Sequence, residues 1–140
     1  MSYDPDNIFA KILRGEIPST QVYEDDDTLV FMDIMPRAEG HCLIIPKSPC
    51  RNVLDASPAQ LNSVIATTQK IANAVMRAFD AQGVTIQQFN EAAGGQEVFH
   101  LHFHVLPRYE NVKLRAPGQM EDSAVIAANA EKIRGALAEA

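Results

Sequence analysis

The spacing of hydrophobic residues in the middle of the chain predicts one long amphipathic helix. Over residues 61–79, apolar side chains recur every three or four positions, as they do along the buried face of a helix. Residues 57–60 are Ser-Pro-Ala-Gln, which supply a capping serine, a proline suited to the first helical turn and a capping-box glutamine. We therefore expect a helix of roughly 20 residues that ends near Gly83.

Shorter helices are predicted near each end of the chain. Asn7 is suited to cap a helix over Ile8–Arg14, and Gly15 is suited to end it. After an irregular stretch at residues 108–120, we expect a last helix over Glu121–Leu137.

Five short segments are rich in β-branched and aromatic residues and are bounded by turn formers, which is typical of strands. They are Gln21–Glu24, Thr28–Asp33, His41–Pro46, Gly83–Asn90 and Val98–Leu106, the last stopping at Pro107. Short connections between neighbouring strands favour antiparallel pairing. The pattern predicts an α+β fold, an antiparallel sheet with helices packed on it, in a single domain over residues 1–140.

Composition narrows the class of protein. A chain of 140 residues that is 46% hydrophobic suits one globular domain with a sizeable core. The net charge of −6 argues against binding of nucleic acid polymers and leaves a small phosphorylated ligand open. Cys42 and Cys50 have no metal-type spacing, and the chain has neither a signal-like segment nor a membrane-length apolar run. We expect a reduced, cytoplasmic protein without a membrane partner.

The most distinctive polar pattern lies in the last predicted strand, where His100, His102 and His104 alternate with apolar residues. Successive side chains of a strand point to opposite faces, so the three imidazoles are expected to share one face and the apolar residues the other. Imidazole titrates close to neutral pH. Such a row can therefore supply nucleophiles, acids and bases to one surface.

The same spacing bears on metal binding. Neighbouring imidazoles of a regular strand are ~7 Å apart and the outer two ~13 Å apart, whereas zinc binds nitrogen at ~2.0–2.1 Å. Three histidines of one strand are poorly placed to bind one ion. Two of them together with His41 or Cys50 remain an alternative.

Two further features lie close to the histidines in sequence. The loop from Asn90 to Gln96 contains Gly94 and Gly95, which either form an ordinary turn or let backbone N–H groups converge on an anion. Asp33 ends a strand, where its carboxylate can stabilise a turn or accept hydrogen bonds from two ribose hydroxyls.

Together these motifs resemble the histidine triad (HIT) family of nucleotide hydrolases and transferases, and its Hint branch in particular. The resemblance covers roughly residues 5–108. The matching segments are Asn7–Pro18, Glu24–Asp26, Phe31–Ile34, Gly40–Lys47, Gly95–Gln96 and His100–Leu106.

The resemblance implies a homodimer, with residues 57–80 and 84–89 at the dimer surface, and a site for a purine nucleoside monophosphate. The residues implied for the base and ribose are Ile8, Phe9, Phe31, Asp33 and Ile34. Those implied for the phosphate are Asn90, Gly95, Gln96 and the backbone of Glu97 and Val98.

The resemblance also implies unequal roles for the histidines and no metal or cofactor. His102 would attack the α-phosphorus while the backbone carbonyl of His100 holds its other ring nitrogen as N–H. A nucleotidyl-histidine would form and be hydrolysed. His104 would donate to the phosphate or the leaving group, and His100 and His41 would orient the site.

The chain departs from the family pattern at two places. Asn7, Ala10 and Cys50 stand where zinc-binding members have ligands, so we predict no structural zinc. Glu97 stands where the Hint branch has a serine near the leaving group, so the resemblance does not predict which leaving group this chain accepts.

Adenosine phosphoramidate and aminoacyl-adenylate-like compounds are the first candidate substrates. Three alternatives remain: a dinucleoside polyphosphate hydrolase, a nucleotide-binding scaffold, and a metal site on His100, His102 and His41. In the first of these, Arg108 is either a contact to the longer polyphosphate or an ordinary surface residue.

Overall fold

The computed structural model describes residues 2–139 and confirms the α+β class. Within these residues the helices are α1 (Ile8–Leu13), α2 (Pro58–Ala78) and α3 (Ser123–Ala138), and the strands are β1 (Gln21–Glu24), β2 (Thr28–Met32), β3 (Cys42–Pro46), β4 (Gly83–Gln87) and β5 (Phe103–Arg108). The strands form one antiparallel sheet in the order β1-β2-β3-β5-β4. The last strand is therefore inserted beside β3.

Both faces of the central strands are covered. On one face, Val30 and Ile44 belong to a core that α2 and α3 complete. On the other face, Phe31 and Leu43 pack with Phe9 of α1. Every residue of β2 and β3 is consequently buried, which explains their nearly continuous apolar sequences.

The helix starts follow the predicted capping. The Asn7 side chain accepts a hydrogen bond from the Ala10 backbone N–H at 2.9 Å. At α2, the Gln60 N–H donates to the Ser57 hydroxyl at 3.1 Å, and the Ser57 N–H donates to the Gln60 amide oxygen at 2.8 Å. Both capping predictions are confirmed.

The predicted triad strand is partly wrong. Regular pairing begins only at Phe103, and the preceding Leu101 N–H donates to the Cys50 carbonyl at 2.9 Å instead of to a neighbouring strand. The strand also continues through Pro107 to Arg108. Proline is tolerated there because β3 pairs only as far as Val105, so no ladder partner is left on that side.

The segment after β5 runs irregularly to α3, which packs on α2 and β1. Within residues 2–139, no helix has both the length and the apolar character needed to cross a bilayer.

Candidate active site

A cleft of about 410 Å³ opens on the sheet face that carries α1. Most of the predicted site residues line it: Ile8, Phe9, Phe31, Asp33, Ile34, His41, Gly95, Glu97, Val98, His102 and His104. Three predicted residues lie outside the lining: Asn90, Gln96 and His100.

The apolar part of the cleft is held by aromatic contacts. The ring of Phe9 meets Phe31 edge-on at 5.3 Å between centroids and meets His102 edge-on at 4.9 Å. Ile8 and Ile34 stand at the rim and are 45% and 48% exposed. This apolar pocket beside an imidazole suits a flat ring such as a nucleobase.

Hydrogen bonding fixes the tautomer of His102. Its Nδ1 lies 2.7 Å from the carbonyl oxygen of His100, as the resemblance implied. A carbonyl only accepts, so Nδ1 carries the proton and Nε2 keeps a lone pair. Burial lowers the pKa of His102, and the Glu97 carboxylate partly opposes that effect. The ring is thus a neutral imidazole in the cleft.

A second chain of hydrogen bonds fixes the tautomers of His41 and His104. The Arg37 backbone N–H donates to His41 Nδ1 at 3.1 Å, so the His41 proton is on Nε2. That proton is donated to His104 Nδ1 at 2.9 Å, which leaves the His104 proton on its Nε2. Burial lowers the pKa of His41 to about 4 and that of His104 to about 3. His104 is therefore a neutral hydrogen-bond donor beside His102, with ring centroids 5.0 Å apart.

His100 is placed differently from the other two triad histidines, which corrects the prediction of three imidazoles on one surface. Its ring is fully buried, with Nε2 2.8 Å from the Pro46 carbonyl and Nδ1 2.6 Å from the Tyr3 hydroxyl. Nε2 must donate to the carbonyl, so Nδ1 accepts from Tyr3. His100 acts on the cleft through its backbone carbonyl, because the chain bends before β5 begins.

The backbone N–H groups that we expected to bind an anion instead stabilise the glycine loop itself. Those of Gly94, Gly95 and Gln96 donate to carbonyls within the loop. Gly95 has a φ of +97°, where an added Cβ would lie 3.2 Å from the ring of Phe89. Within the loop, the backbone N–H groups of Glu97 and Val98, both on the cleft lining, have no partner among residues 2–139. The predicted phosphate contact of these two amides stays a prediction.

The side chains of Gln96 and Asn90 lie outside the cleft lining, so the phosphate contact predicted for them stays a prediction. Gln96 is buried, donates to the carbonyls of Arg51 and Val98 and accepts from the Glu91 N–H and the Asn52 amide. The Asn90 amide oxygen accepts from the Val53 N–H and from the Gln88 amide. The two N–H donors and the two acceptor positions of the Gln96 amide are all used in hydrogen bonds within the protein, so its influence on a ligand is indirect.

Asp33 forms the predicted turn and lines the cleft, and its contact with ribose hydroxyls stays a prediction. One carboxylate oxygen accepts from the Met35 N–H at 2.8 Å and forms a turn after β2. The other lies 3.5 Å from His41 Nε2, and the residue lines the cleft. Burial raises the pKa of Asp33. The carboxylate is thus positioned next to the histidines and within reach of a bound ligand.

Metal-type donors also meet in the cleft, because Asp33, His41 and His104 bring ligand atoms within 4.8 Å of one another. The hydrogen bonds argue against an ion there. His41 could bind through Nε2 only by moving its proton to Nδ1, which would then face the Arg37 N–H. The arrangement predicted from His100, His102 and His41 is also disfavoured, since both nitrogens of His100 already have partners.

The positions that correspond to zinc ligands in other members have other functions here. Asn7 caps α1, and Cys50 is buried in the core. Burial raises the pKa of the Cys50 thiol to about 11, so it holds its proton at neutral pH. These donors do not form the thiolate set that structural zinc requires.

Three groups of residues at the site had no recognisable sequence signal. Tyr3 contacts His100 across 97 positions of sequence, and Arg51 pairs with Glu91 at 2.8 Å across 40 positions. Pro117 and Gly118, from the segment predicted to be irregular, line the cleft. Each of these contacts joins distant parts of the chain, so local sequence patterns do not predict it.

The fold and the cleft define a histidine triad protein. The chain belongs to the HIT family, whose domain model matches residues 14–111. It is similar to a crystal structure of a Hit-like protein involved in cell-cycle regulation from Bartonella henselae, with 53% identity, a TM-score of 0.93 and coverage of 97% of this chain and 99% of that one.

Two curated relatives are also similar. An uncharacterized HIT-like protein of Borreliella burgdorferi is 44% identical over 76% of this chain and 78% of its own length. Adenylylsulfatase HINT3 of Arabidopsis thaliana is 37% identical over 75% of this chain and 53% of its own length.

Proposed function

We propose that the protein is a nucleotide hydrolase that removes a substituent from the α-phosphate of a purine nucleoside monophosphate. One observation carries the proposal: His102 has a proton-free Nε2 in the cleft, and His104 beside it has a protonated Nε2. A nucleophile and a hydrogen-bond donor are thus prepared next to each other. Both are neutral at physiological pH because burial lowers their pKa values.

The proposed reaction has two displacements. His102 Nε2 forms a bond to the α-phosphorus, and the bond from phosphorus to the substituent breaks, so that the substituent leaves with the electron pair. The imidazolium formed is stabilised by its Nδ1–H bond to the His100 carbonyl. Water then forms the new P–O bond, and the P–N bond breaks with its electron pair returning to Nε2. The proton that water loses balances the proton that the leaving group gains. Covalent catalysis of this kind replaces one difficult displacement with two easier ones.

The surroundings of His102 support a nucleotide as the ligand. Phe9 and Phe31 give the base an apolar pocket, and Asp33 offers a carboxylate to the ribose hydroxyls. The backbone amides of Glu97 and Val98 are free to bind the phosphate. Backbone donors fixed in a partly dry cleft stabilise developing phosphoryl charge effectively.

Adenosine phosphoramidate and acyl-adenylates are the first substrates to test. Adenylyl sulfate is added because the similar Arabidopsis protein is named an adenylylsulfatase.

A dinucleoside polyphosphate hydrolase and a nucleotide-binding scaffold are less well supported. Arg108, the residue considered for a longer polyphosphate, donates to the Thr85 hydroxyl and the Val112 carbonyl and lies outside the cleft lining. A scaffold would not need a tautomer fixed at each of the histidines.

The test is a steady-state assay of nucleoside monophosphate release from these substrates. We expect turnover by the wild-type protein and by Arg108→Ala, with a loss of at least about 1,000-fold in His102→Ala, because the nucleophile is gone. A chelator should leave turnover unchanged. Equal turnover by wild-type and His102→Ala protein would refute the proposal.

We also propose that the protein forms a homodimer through α2 and β4. β4 lies at one edge of the sheet, and Ile65 of α2 and Ile86 of β4 are 51% and 49% exposed. An unpaired edge beside exposed apolar residues is typical of an interface. Light scattering should give a dimer mass for the wild-type protein and a monomer mass for Ile86→Lys. A monomeric wild-type protein would contradict this.

A further inference from the structure

The segment that follows β5 reaches back over the cleft. We call residues 113–121 the strap. Its Arg115 N–H donates to the Arg37 carbonyl at 2.7 Å, and Arg37 Nε donates to the Arg115 carbonyl at 3.0 Å. Glu121 N–H donates to the Ile34 carbonyl at 3.0 Å. Three hydrogen bonds thus fasten the strap to the turn after β2. The strap lies beyond residues 14–111, which the family model matches.

Arg37 is held by the strap yet has no anionic partner. Only its Nε is bonded, so both terminal nitrogens are free, and the side chain forms no ion pair among residues 2–139. The residue is half-buried and lines the cleft. A guanidinium presents a planar set of donors that matches the oxygens of a carboxylate, phosphate or sulfate. A partly desolvated guanidinium without a carboxylate is suited to an anion from solution.

Arg37 is connected to the part of the cleft that carries His104. Its backbone N–H donates to His41 Nδ1 at 3.1 Å, and His41 Nε2 donates to His104 Nδ1 at 2.9 Å. The Arg37 charge adds to burial in lowering the pKa of His41. Asp33 also lies beside this pair, 3.5 Å from His41 Nε2, while the Glu97 carboxylate influences His102. A guanidinium that lines the cleft is therefore close in the fold to the proposed donor to the leaving group.

We propose that Arg37, positioned by the strap, binds negative charge on the leaving group and makes the site selective for oxyanion leaving groups. The inference rests on the proposed function and extends it, since it names the class of substituent: sulfate, phosphate or carboxylate in preference to ammonia. The bond changes are those already given, with the oxyanion leaving with the electron pair of its bond to phosphorus.

Two substrates with the same nucleotide separate this effect from general damage to the site. Adenylyl sulfate releases a sulfate, and adenosine phosphoramidate releases ammonia. In Arg37→Gln we expect kcat/KM for adenylyl sulfate to fall about 10- to 100-fold, the range expected for loss of a charged hydrogen bond. For the phosphoramidate we expect a change below about threefold. Arg37→Lys, which keeps the charge but loses the planar donor set, should recover part of the loss.

A second pair of variants tests the strap. Arg115→Pro removes the N–H that donates to the Arg37 carbonyl, while Arg115→Ala keeps both backbone bonds and removes only the side chain, which pairs with Glu121. We expect Arg115→Pro to reproduce part of the selective loss and Arg115→Ala to show none of it. Circular dichroism and thermal unfolding of all variants establish that they are folded.

A binding measurement keeps the outcome independent of turnover. In His102→Ala, calorimetry should show that a second change, Arg37→Gln, weakens adenylyl sulfate about 10-fold or more and leaves the phosphoramidate within threefold. Equal weakening of both ligands, or of neither, would overturn the role of Arg37. Selective weakening in binding with no turnover by the wild-type protein would instead uphold Arg37 and refute the hydrolase.

Discussion

Two parts of the cleft are stabilised in different ways. One part, the strand wall, consists of α1, β2, β3 and residues 100–108, and its central strands are buried on both faces. The other part, the loop wall, consists of two separate segments, residues 90–98 and the strap, which are held mainly by hydrogen bonds and ion pairs. The strand wall supplies the histidines, and the loop wall supplies free amides, Glu97 and the support of Arg37. Stability and substrate placement are therefore expected to respond to different residues.

The largest expected effect on stability comes from the strand wall. Ile44 is fully buried in β3, so Ile44→Ala leaves a cavity and should lower the free energy of unfolding by about 2–5 kcal/mol. Urea unfolding at neutral pH measures this. Leu54→Ala, at a residue that is 62% exposed, is the matched control and should change the free energy by less than about 0.5 kcal/mol. A similar loss in both variants would show that burial in β3 is not what stabilises the strand wall.

Acid should destabilise the strand wall through its buried histidines. Burial lowers the pKa of His41 and of His100 to about 4, whereas histidine in an unfolded chain titrates near 6.5. Above pH 6.5 both states are neutral and stability is complete. As the pH falls from about 6.5 to about 4, the unfolded state binds protons that the folded state does not, at a cost of about 3 kcal/mol for each histidine.

The measurement is urea unfolding across this pH range for the wild-type protein and His100→Gln. The variant has lost one titrating group and should lose less stability on acidification. An identical pH dependence in both proteins would show that His100 is not held neutral by burial.

A smaller loss of stability, with a clear loss of activity, is expected from the loop wall. Gln96→Ala removes four hydrogen bonds, two that tie the loop to Arg51 and Asn52 and two within the loop, to Glu91 and Val98. We expect about 1–3 kcal/mol of destabilisation and a fall in kcat/KM of about 10- to 100-fold, since the amides of Glu97 and Val98 lose their placement.

Thermal unfolding and steady-state kinetics on the same preparation check this prediction. Ile44→Ala should show the opposite ratio, a large loss of stability with little loss of activity in the folded protein. If Gln96→Ala kept full activity, the loop wall would have no part in placing the substrate.

The sequence predicted the strand wall better than the loop wall, and the reason is physical. The long helix, the strands β2 and β3 and their antiparallel pairing follow from local periodicity and capping, and so does the presence of His102 and His104 at one surface. The start of β5 could not be predicted, because it depends on a bond between Leu101 and Cys50, which are distant in sequence. The burial of His100 depends in the same way on Tyr3.

The residues of the loop wall illustrate a second reason why the site could not be fully predicted from the sequence. Asn90 and Gln96 have the side chains that a phosphate site needs, and their place in the sequence beside the glycines suggested that role. Part of their hydrogen bonding goes to residues 51–53, which no local pattern connects to the loop. The pairing of Arg37 with Arg115 spans 78 positions and has no sequence signature either.

The central claim is that His102 attacks phosphorus through Nε2, and trapping the covalent adduct tests it most directly. Protein mixed with adenosine phosphoramidate or adenylyl sulfate is quenched in base, which preserves the acid-labile P–N bond, and is analysed by intact and peptide mass spectrometry. We expect an adenylyl group on His102 that forms faster than turnover and is absent from His102→Ala. Turnover without any adduct in the wild-type protein, or an adduct that persists in His102→Ala, would contradict the account.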